Sequence, residues 1–147
     1  MTITAKVHGN ILDSKIQTLV CPVNVAGAMG AGLALEFRQE FSGLYAAYQK
    51  ACRAGIFASK GLFVYKHSSN CQVLCLPSKR HWRDPSRLVW IDLALSNVAE
   101  NYLDYGITAL AIPAVGCGLG GLDWNDVQKL IHQYFDTSAL PVTIFLP

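Results

Sequence analysis

The chain has 147 residues, 52% of them hydrophobic and 15% charged, with a formal net charge of +2. That length suits one domain over residues 1–147, able to bury about 70% of its unfolded surface without metal or disulfide staples. The net charge selects no class of partner. No apolar run reaches ~18 residues and Met1–Lys6 is not a signal peptide, so the sequence reads as soluble, cytoplasmic and not membrane-bound. Five cysteines with no CxxC pair read as reduced, buried thiols, and the histidines show no metal-ligand spacing. Neither a metal nor a cofactor is expected.

In chain order, Ile3, Ala5 and Val7 alternate with polar residues and predict a half-buried strand ending at Gly9. Thr18–Val25 reads as a more buried strand, in which Pro22 suits the end better than the middle. A glycine loop, 26–32, then runs into a helix whose Leu33, Phe37 and Phe41 step by four. A further helical piece spans Tyr45–Ala54 and stops at Gly55 as a C′ residue. Two short strands, Leu62–Tyr65 and Gln72–Leu76, are joined by the polar segment Lys66–Cys71.

The loop 77–83 follows, and Asp84-Pro85 offers a cap and a first-turn proline for the next helix. Leu88, Ile91, Leu95, Val98, Tyr102 and Tyr105 form one face of that helix, which should end at Gly106. Ala109–Ile112 is an apolar run too short for a helix and bounded by Gly106 and Pro113, and reads as a buried strand. It leads into Gly116-Cys117-Gly118-Leu119-Gly120-Gly121, with four glycines in six residues, and then into a helix capped by Asp123. Val127, Leu130, Ile131 and Tyr134 are its buried face, and Val142–Phe145 makes a last strand. The pattern predicts an α/β sandwich with a mixed sheet between helix layers.

Two glycine loops that each follow a strand and precede a helix are the arrangement that offers backbone N–H groups to an anion. Missing Cβ atoms let a diphosphate approach the main chain. Around one crevice at the carboxyl ends of the strands, the two loops can hold an extended phosphate-containing ligand. The competing reading is two structural turns.

Taken together, these segments resemble the macrodomain, the ADP-ribose-binding fold. The resemblance rests on Gly9-Asn10-Ile11, on Val23-Asn24 leading into Met29-Gly30-Ala31-Gly32, and on Gly116-Cys117-Gly118 with Gly121-Leu122-Asp123-Trp124. Within the family, Pro77-Ser78-Lys79-Arg80-His81-Trp82-Arg83-Asp84-Pro85-Ser86-Arg87 is most similar to the DarG-type branch, antitoxins that remove ADP-ribose from DNA. A more distant likeness is to the terminal glycohydrolase that frees ADP-ribose from protein carboxylates. The resemblance implies an α/β/α sandwich with a central mixed sheet of about six strands. It implies ADP-ribose binding by Asn10 and Ile11 at the adenine end and by Asn24, Met29, Gly30, Ala31 and Gly32 at the distal ribose. Gly116, Cys117, Gly118, Leu119, Gly120 and Gly121 would hold the diphosphate, and Lys79 would be catalytic. It also implies ADP-ribosylated single-stranded DNA as substrate and a cognate ADP-ribosyltransferase toxin as partner.

Two positions depart from the family patterns. Gly120 stands where the protein-directed relative has a catalytic aspartate, and Ala31 replaces a lysine expected in a DarG-type loop. On the residues alone, Lys79 is either a solvated lysine or a catalytic one. Neighbouring Arg80 and Arg83 disfavour its ammonium, and a free amine can attack an anomeric carbon. A protonated lysine would instead steady a departing base.

Arg80, His81, Trp82 and Arg83 read as nucleic-acid contacts, because an aromatic among cations can stack on a base. The competing reading pairs Arg87 with Asp84 or Glu36 and buries Trp82. Other functions in play are a non-catalytic ADP-ribose reader, a protein ADP-ribose glycohydrolase and a phosphatase of phosphorylated ADP-ribose.

Overall fold

The computed structural model describes residues 4–147. Its sheet has six strands: β1 (Thr4–His8), β2 (Thr18–Asn24), β3 (Phe63–Ser68), β4 (Cys71–Lys79), β5 (Leu110–Pro113) and β6 (Val142–Leu146). Their spatial order is β1-β6-β5-β2-β4-β3, with only β3 antiparallel to its neighbour. The expected mixed sheet is therefore present. Ile3 lies outside the described residues.

Strand alternation splits the core in two, because successive side chains leave opposite faces of the sheet. Leu19, Cys21, Val73, Cys75 and Ala111 meet Phe37 of α1 (Gly32–Glu40), Leu44 and Tyr48 of α2 (Leu44–Arg53) and Phe57 of α3 (Ile56–Lys60). Val20, Leu74, Ile112 and Ile144 meet Ile91 and Leu95 of α4 (Leu88–Asn101) and Val127 and Ile131 of α5 (Trp124–Phe135). Each fully buried Val, Leu, Ile or Phe side chain among these stabilises the fold by roughly 1.5–3 kcal/mol. Cys21 and Cys75 are register partners on adjacent strands, and burial pushes both thiols up. Cys52, Cys71 and Cys117 are only partly buried, so the expectation of buried thiols holds for two of the five.

Several boundaries differ from the sequence reading. The helix signal at Asp84-Pro85 is overridden, and α4 starts three residues later than expected, at Leu88 with Arg87 as its cap. The amides after Pro85 are taken by distant acceptors, Ser86 N–H by Gly120 O at 3.0 Å and Arg87 N–H by Ser78 O at 2.8 Å. Gly106 closes a turn after α4 rather than its last helical residue. Gly55 does stop α2 in the left-handed region, but it also opens α3, which the pattern did not predict. Between β1 and β2 a 3-10 turn, Ile11–Asp13, is capped by the Asn10 side chain, which accepts from Leu12 N–H.

Both hairpin strands run longer than expected, and β4 continues through Pro77-Ser78-Lys79, read above as loop.

Pro22 lies inside β2, contrary to expectation, and the ladder explains why it is tolerated. Thr18 N–H donates toward β5, to Ala109 O at 3.0 Å, and alternation turns the Pro22 nitrogen to the same side. Pairing of β2 with β5 covers only Thr18 and Leu19. At Pro22 the β5 side is already an edge, so the missing donor breaks no ladder bond.

Candidate functional site

Where β2 and β5 part, a cleft of about 1090 Å³ opens at the carboxyl end of the sheet. The last residues of four strands line it: Asn24 of β2, Lys79 of β4, Pro113 of β5 and Leu146 of β6. Such a crevice beyond the carboxyl ends of parallel strands is where open α/β sheets bind ligands. The glycine loops form two of its sides, through Gly30, Ala31 and Gly32 on one and Gly116, Cys117, Gly118, Leu119 and Gly120 on the other. Asn10, Ile11 and Trp82 also line it. Met29 does not: its side chain is 1% exposed and belongs to the core. Gly121, which turns back by donating to Gly118 O at 3.2 Å, and Arg80, His81 and Arg83 are likewise off the cleft wall.

The two loops differ in what they offer an anion. The α5 N-terminus is closed by its own Asp123, whose carboxylate accepts from Asn125 N–H at 2.8 Å. The α1 N-terminus has Ala31 as its cap and no side-chain acceptor, so its first-turn N–H groups stay open to a ligand. In the second loop, Gly116 has φ +76°, and an added Cβ would lie 2.7 Å from Leu122 Cδ1 and 3.0 Å from Ile91 Cδ1. Gly30 and Gly118 have no positive φ, and a Cβ on either would meet nothing within 4 Å. Gly116 serves the fold; Gly30 and Gly118 keep the cleft clear.

Gly120 is the tightest position. A Cβ there would fall 2.0 Å from Ser86 Oγ and 2.6 Å from Gly116 O. No carboxylate fits without moving backbone, which gives the glycine at this position a steric basis. Ser86 itself is 6% exposed and donates to the Oγ of Ser78, 3% exposed, at 3.3 Å. This buried hydroxyl pair ties the segment after Lys79 to the floor of the cleft.

Asn24 is largely committed to shaping its own loop. Its Oδ1 accepts from Ala26 N–H at 3.0 Å, Ala28 N–H at 3.3 Å and the Tyr48 hydroxyl at 2.9 Å, while Nδ2 donates to Ala28 O at 2.8 Å. One amide hydrogen is left for a ligand. Tyr48 is fully buried beneath it, and desolvation pushes its phenol up, so it remains a donor. On the opposite side, Asn10 Oδ1 already accepts from Leu12 N–H at 3.0 Å and keeps one lone pair.

Glu36 and Lys79 are the charged side chains on the wall. Lys79 is half-buried, and its Nζ donates to Trp82 O at 3.4 Å. Trp82 is 51% exposed, which removes the reading of it as core. The His81 ring stacks on it at 3.6 Å between centroids, steadied by Arg83 N–H donating to His81 Nδ1 at 3.1 Å. Among the described residues no carboxylate lies within ion-pair distance of Arg87, so it is not neutralised by Asp84 or Glu36. The cations of this loop are available to an external anion.

Sequence reasoning missed Ser78, Ser86, Glu36, Trp124 and Phe145 on the cleft wall, and Tyr48 beneath it. Trp124, Ser78 and Ser86 belong to segments that carry the family resemblance, so their neighbourhood was legible although their place on the wall was not. Glu36, Phe145 and Tyr48 carry no local signal, because they reach the site only through packing.

No helix of the described residues is long and apolar enough to cross a membrane, and none of their side chains cluster as a metal site. The Macro domain family model matches residues 20–131. A DNA ADP-ribosyl glycohydrolase of Thermus aquaticus is 35% identical over 96% of this chain and 40% of its own length. A DNA ADP-ribosyl transferase-DNA ADP-ribosyl glycohydrolase fusion protein of Thermosipho africanus is 35% identical over 96% of this chain and 41% of its own. The chain thus spans about two fifths of the length of these curated relatives. Among solved structures, the macrodomain of Mycobacterium tuberculosis DarG superposes with a TM-score of 0.91 at 32% identity, covering 100% of this chain and 99% of the other.

Proposed function

The chain belongs to the macro domain family, and on that premise we propose that it hydrolyses the N-glycosidic bond between ADP-ribose and a base of single-stranded DNA. The observation that carries this reading is the position of Lys79, the last residue of β4, on the wall of the cleft between the two glycine loops. An exposed Trp82 and unneutralised arginines stand directly beyond it. Relatives named DNA ADP-ribosyl glycohydrolase support the acceptor, and the fusion of transferase and glycohydrolase in one of them supports a DNA-modifying ADP-ribosyltransferase toxin as partner.

In this reading the open N-terminus of α1 and the main chain of Gly116–Gly120 hold the diphosphate. Asn10 accepts from the adenine amino group beside Ile11, and the spare amide hydrogen of Asn24 reaches the distal ribose. Lys79 acts at the anomeric carbon, as an attacking amine or as an ammonium steadying the departing base. The steric closure at Gly120 argues against the carboxylate-assisted route to protein esters. Arg80, His81, Trp82 and Arg83 receive the strand.

The test presents the protein side by side with ADP-ribosylated single-stranded DNA, ADP-ribosylated protein and phosphorylated ADP-ribose. Release from the DNA should be fastest. Faster release from protein, or phosphate release from the metabolite alone, would overturn the proposal.

A further inference from the structure

A second cavity, of about 430 Å³, lies behind the wall of the cleft. It is a notch in the sheet. The first residue of β3, Phe63, pairs with Cys75, so β4 runs on through Leu76–Lys79 with β2 on one side and no strand on the other. Pro77 occupies this stretch. Gln72 N–H donates toward β2, to Gln17 O at 2.9 Å, and alternation turns the Pro77 nitrogen to the vacant side. As at Pro22, a proline stands where the ladder has already ended and a cavity begins.

The two cavities share a wall one strand pair thick. Asn24 and Lys79 line the cleft, whereas the next residues along each segment, Val25 and Arg80, line the notch. Val25 N–H clamps the wall by donating to both Lys79 O and Arg80 O at 3.2 Å. The notch is apolar and aromatic inside, with Phe57 from α3 and Trp90 from α4, and Leu93, 65% exposed, forms its lip. Its cation is Arg80, whose guanidinium lies 5.4 Å from the centroid of the Trp90 ring. No carboxylate is among the residues lining it.

We propose that this notch is the subsite for the nucleotide next to the modified one, its base packed against Trp90 and its phosphodiester held by Arg80. The inference rests on the DNA-directed reading above and deepens it. An aromatic surface with a cation and no opposing carboxylate is the chemistry that takes an unpaired nucleotide, since every base has a stacking face and every linkage a negative charge. The volume lies within the range of about 300–1,000 Å³ typical of small-molecule sites. The backbone order supplies the geometry. A strand whose modified base reaches Lys79 crosses the stacked His81 and Trp82 rings, and Arg80 points the other way into the notch.

The test compares an ADP-ribosylated mononucleotide, a longer single strand, and the same strand with abasic neighbours on both sides of the modified base. Wild-type protein should process the intact long strand with kcat/KM about tenfold above the mononucleotide, the scale of one base stack. Abasic neighbours should remove most of that advantage. Leu93→Asp, at an exposed position, sets a carboxylate on the lip and should do the same through KM, as should Trp90→Leu. A length advantage that survives the abasic neighbours, or that survives both Leu93→Asp and Trp90→Leu, would overturn the subsite. Absence of release from all three DNA substrates would instead overturn the DNA-directed reading, and the subsite with it.

Discussion

Two glycines of one loop, Gly116 and Gly118, should fail in opposite ways when substituted. At Gly116 an alanine must hold φ near +76°, which costs about 1–2 kcal/mol for an L-residue. Its Cβ would also press on Leu122 at 2.7 Å, Ile91 at 3.0 Å and Ser86 at 3.2 Å, and overpacking of this kind costs about 1–3 kcal/mol. Gly116→Ala should therefore destabilise the protein by roughly 2–5 kcal/mol. At about 2–4 °C per kcal/mol for a chain near this length, the melting temperature should fall by roughly 4–20 °C. Gly118→Val meets nothing within 4 Å at Cβ and needs no positive φ, so its effect on stability should stay within about 0.5 kcal/mol. The valine instead fills cleft volume assigned to the diphosphate, and ADP-ribose affinity should drop at least tenfold, about 1.4 kcal/mol. Gly30→Glu, also open at Cβ, adds a repelling carboxylate across the cleft and should act alike. Thermal melts and titration calorimetry on the three variants separate the effects. Wild-type affinity in folded Gly118→Val and Gly30→Glu would refute the placement of the ligand, whatever happens to Gly116→Ala.

Lys79→Ala should abolish most release from modified DNA while ADP-ribose binding, by calorimetry, stays within a few-fold; normal turnover would remove Lys79 from the mechanism. Affinity for a modified oligonucleotide should fall with salt at a slope near −0.7 per contacted phosphate, more steeply than for free ADP-ribose. Trp82→Ala and Arg83→Ala should weaken oligonucleotide turnover and spare ADP-ribose binding; equal losses for both ligands would count against a nucleic-acid acceptor. Burial, and then the Asp123 carboxylate, hold the Cys117 thiol above its ordinary value, so less thiolate is present at any given pH than for a free cysteine. Alkylation of Cys117, followed by peptide mass spectrometry, should be slow at neutral pH, level off only at a higher pH than for a free cysteine and be slowed by ADP-ribose, because the residue lines the cleft. No protection by ligand would contradict that placement.

What the chain determines by itself are the features whose energy is local. Asp123 caps α5 through its own side chain, Gly55 ends α2 in the left-handed region, and period-2 and period-3.6 patterns set strands and helices without help from elsewhere. The strand–glycine–helix grammar belongs to the same class, and so does the motif from Pro77 to Arg87 that carries the family resemblance. Tertiary structure decided everything that needs two distant segments. Asp84-Pro85 is a sound local helix start, yet Ser86 and Arg87 are tied to Gly120 O and Ser78 O with Arg87 extended (φ −120°, ψ 126°), so α4 begins only at Leu88. Pro22 and Pro77 disfavour central strands until the ladder shows that each turns its nitrogen to a side without a partner. Asn24 was legible as a candidate and does line the cleft, but its bonds to Ala26, Ala28 and Tyr48 arise only when α2 packs under the loop. Met29 stands in a loop of small residues, and only packing sends its side chain into the core. Trp82 could have been buried or exposed on composition alone. It is exposed because β4 extends three residues further than its hydrophobic run and carries Lys79, not Trp82, to the edge of the sheet.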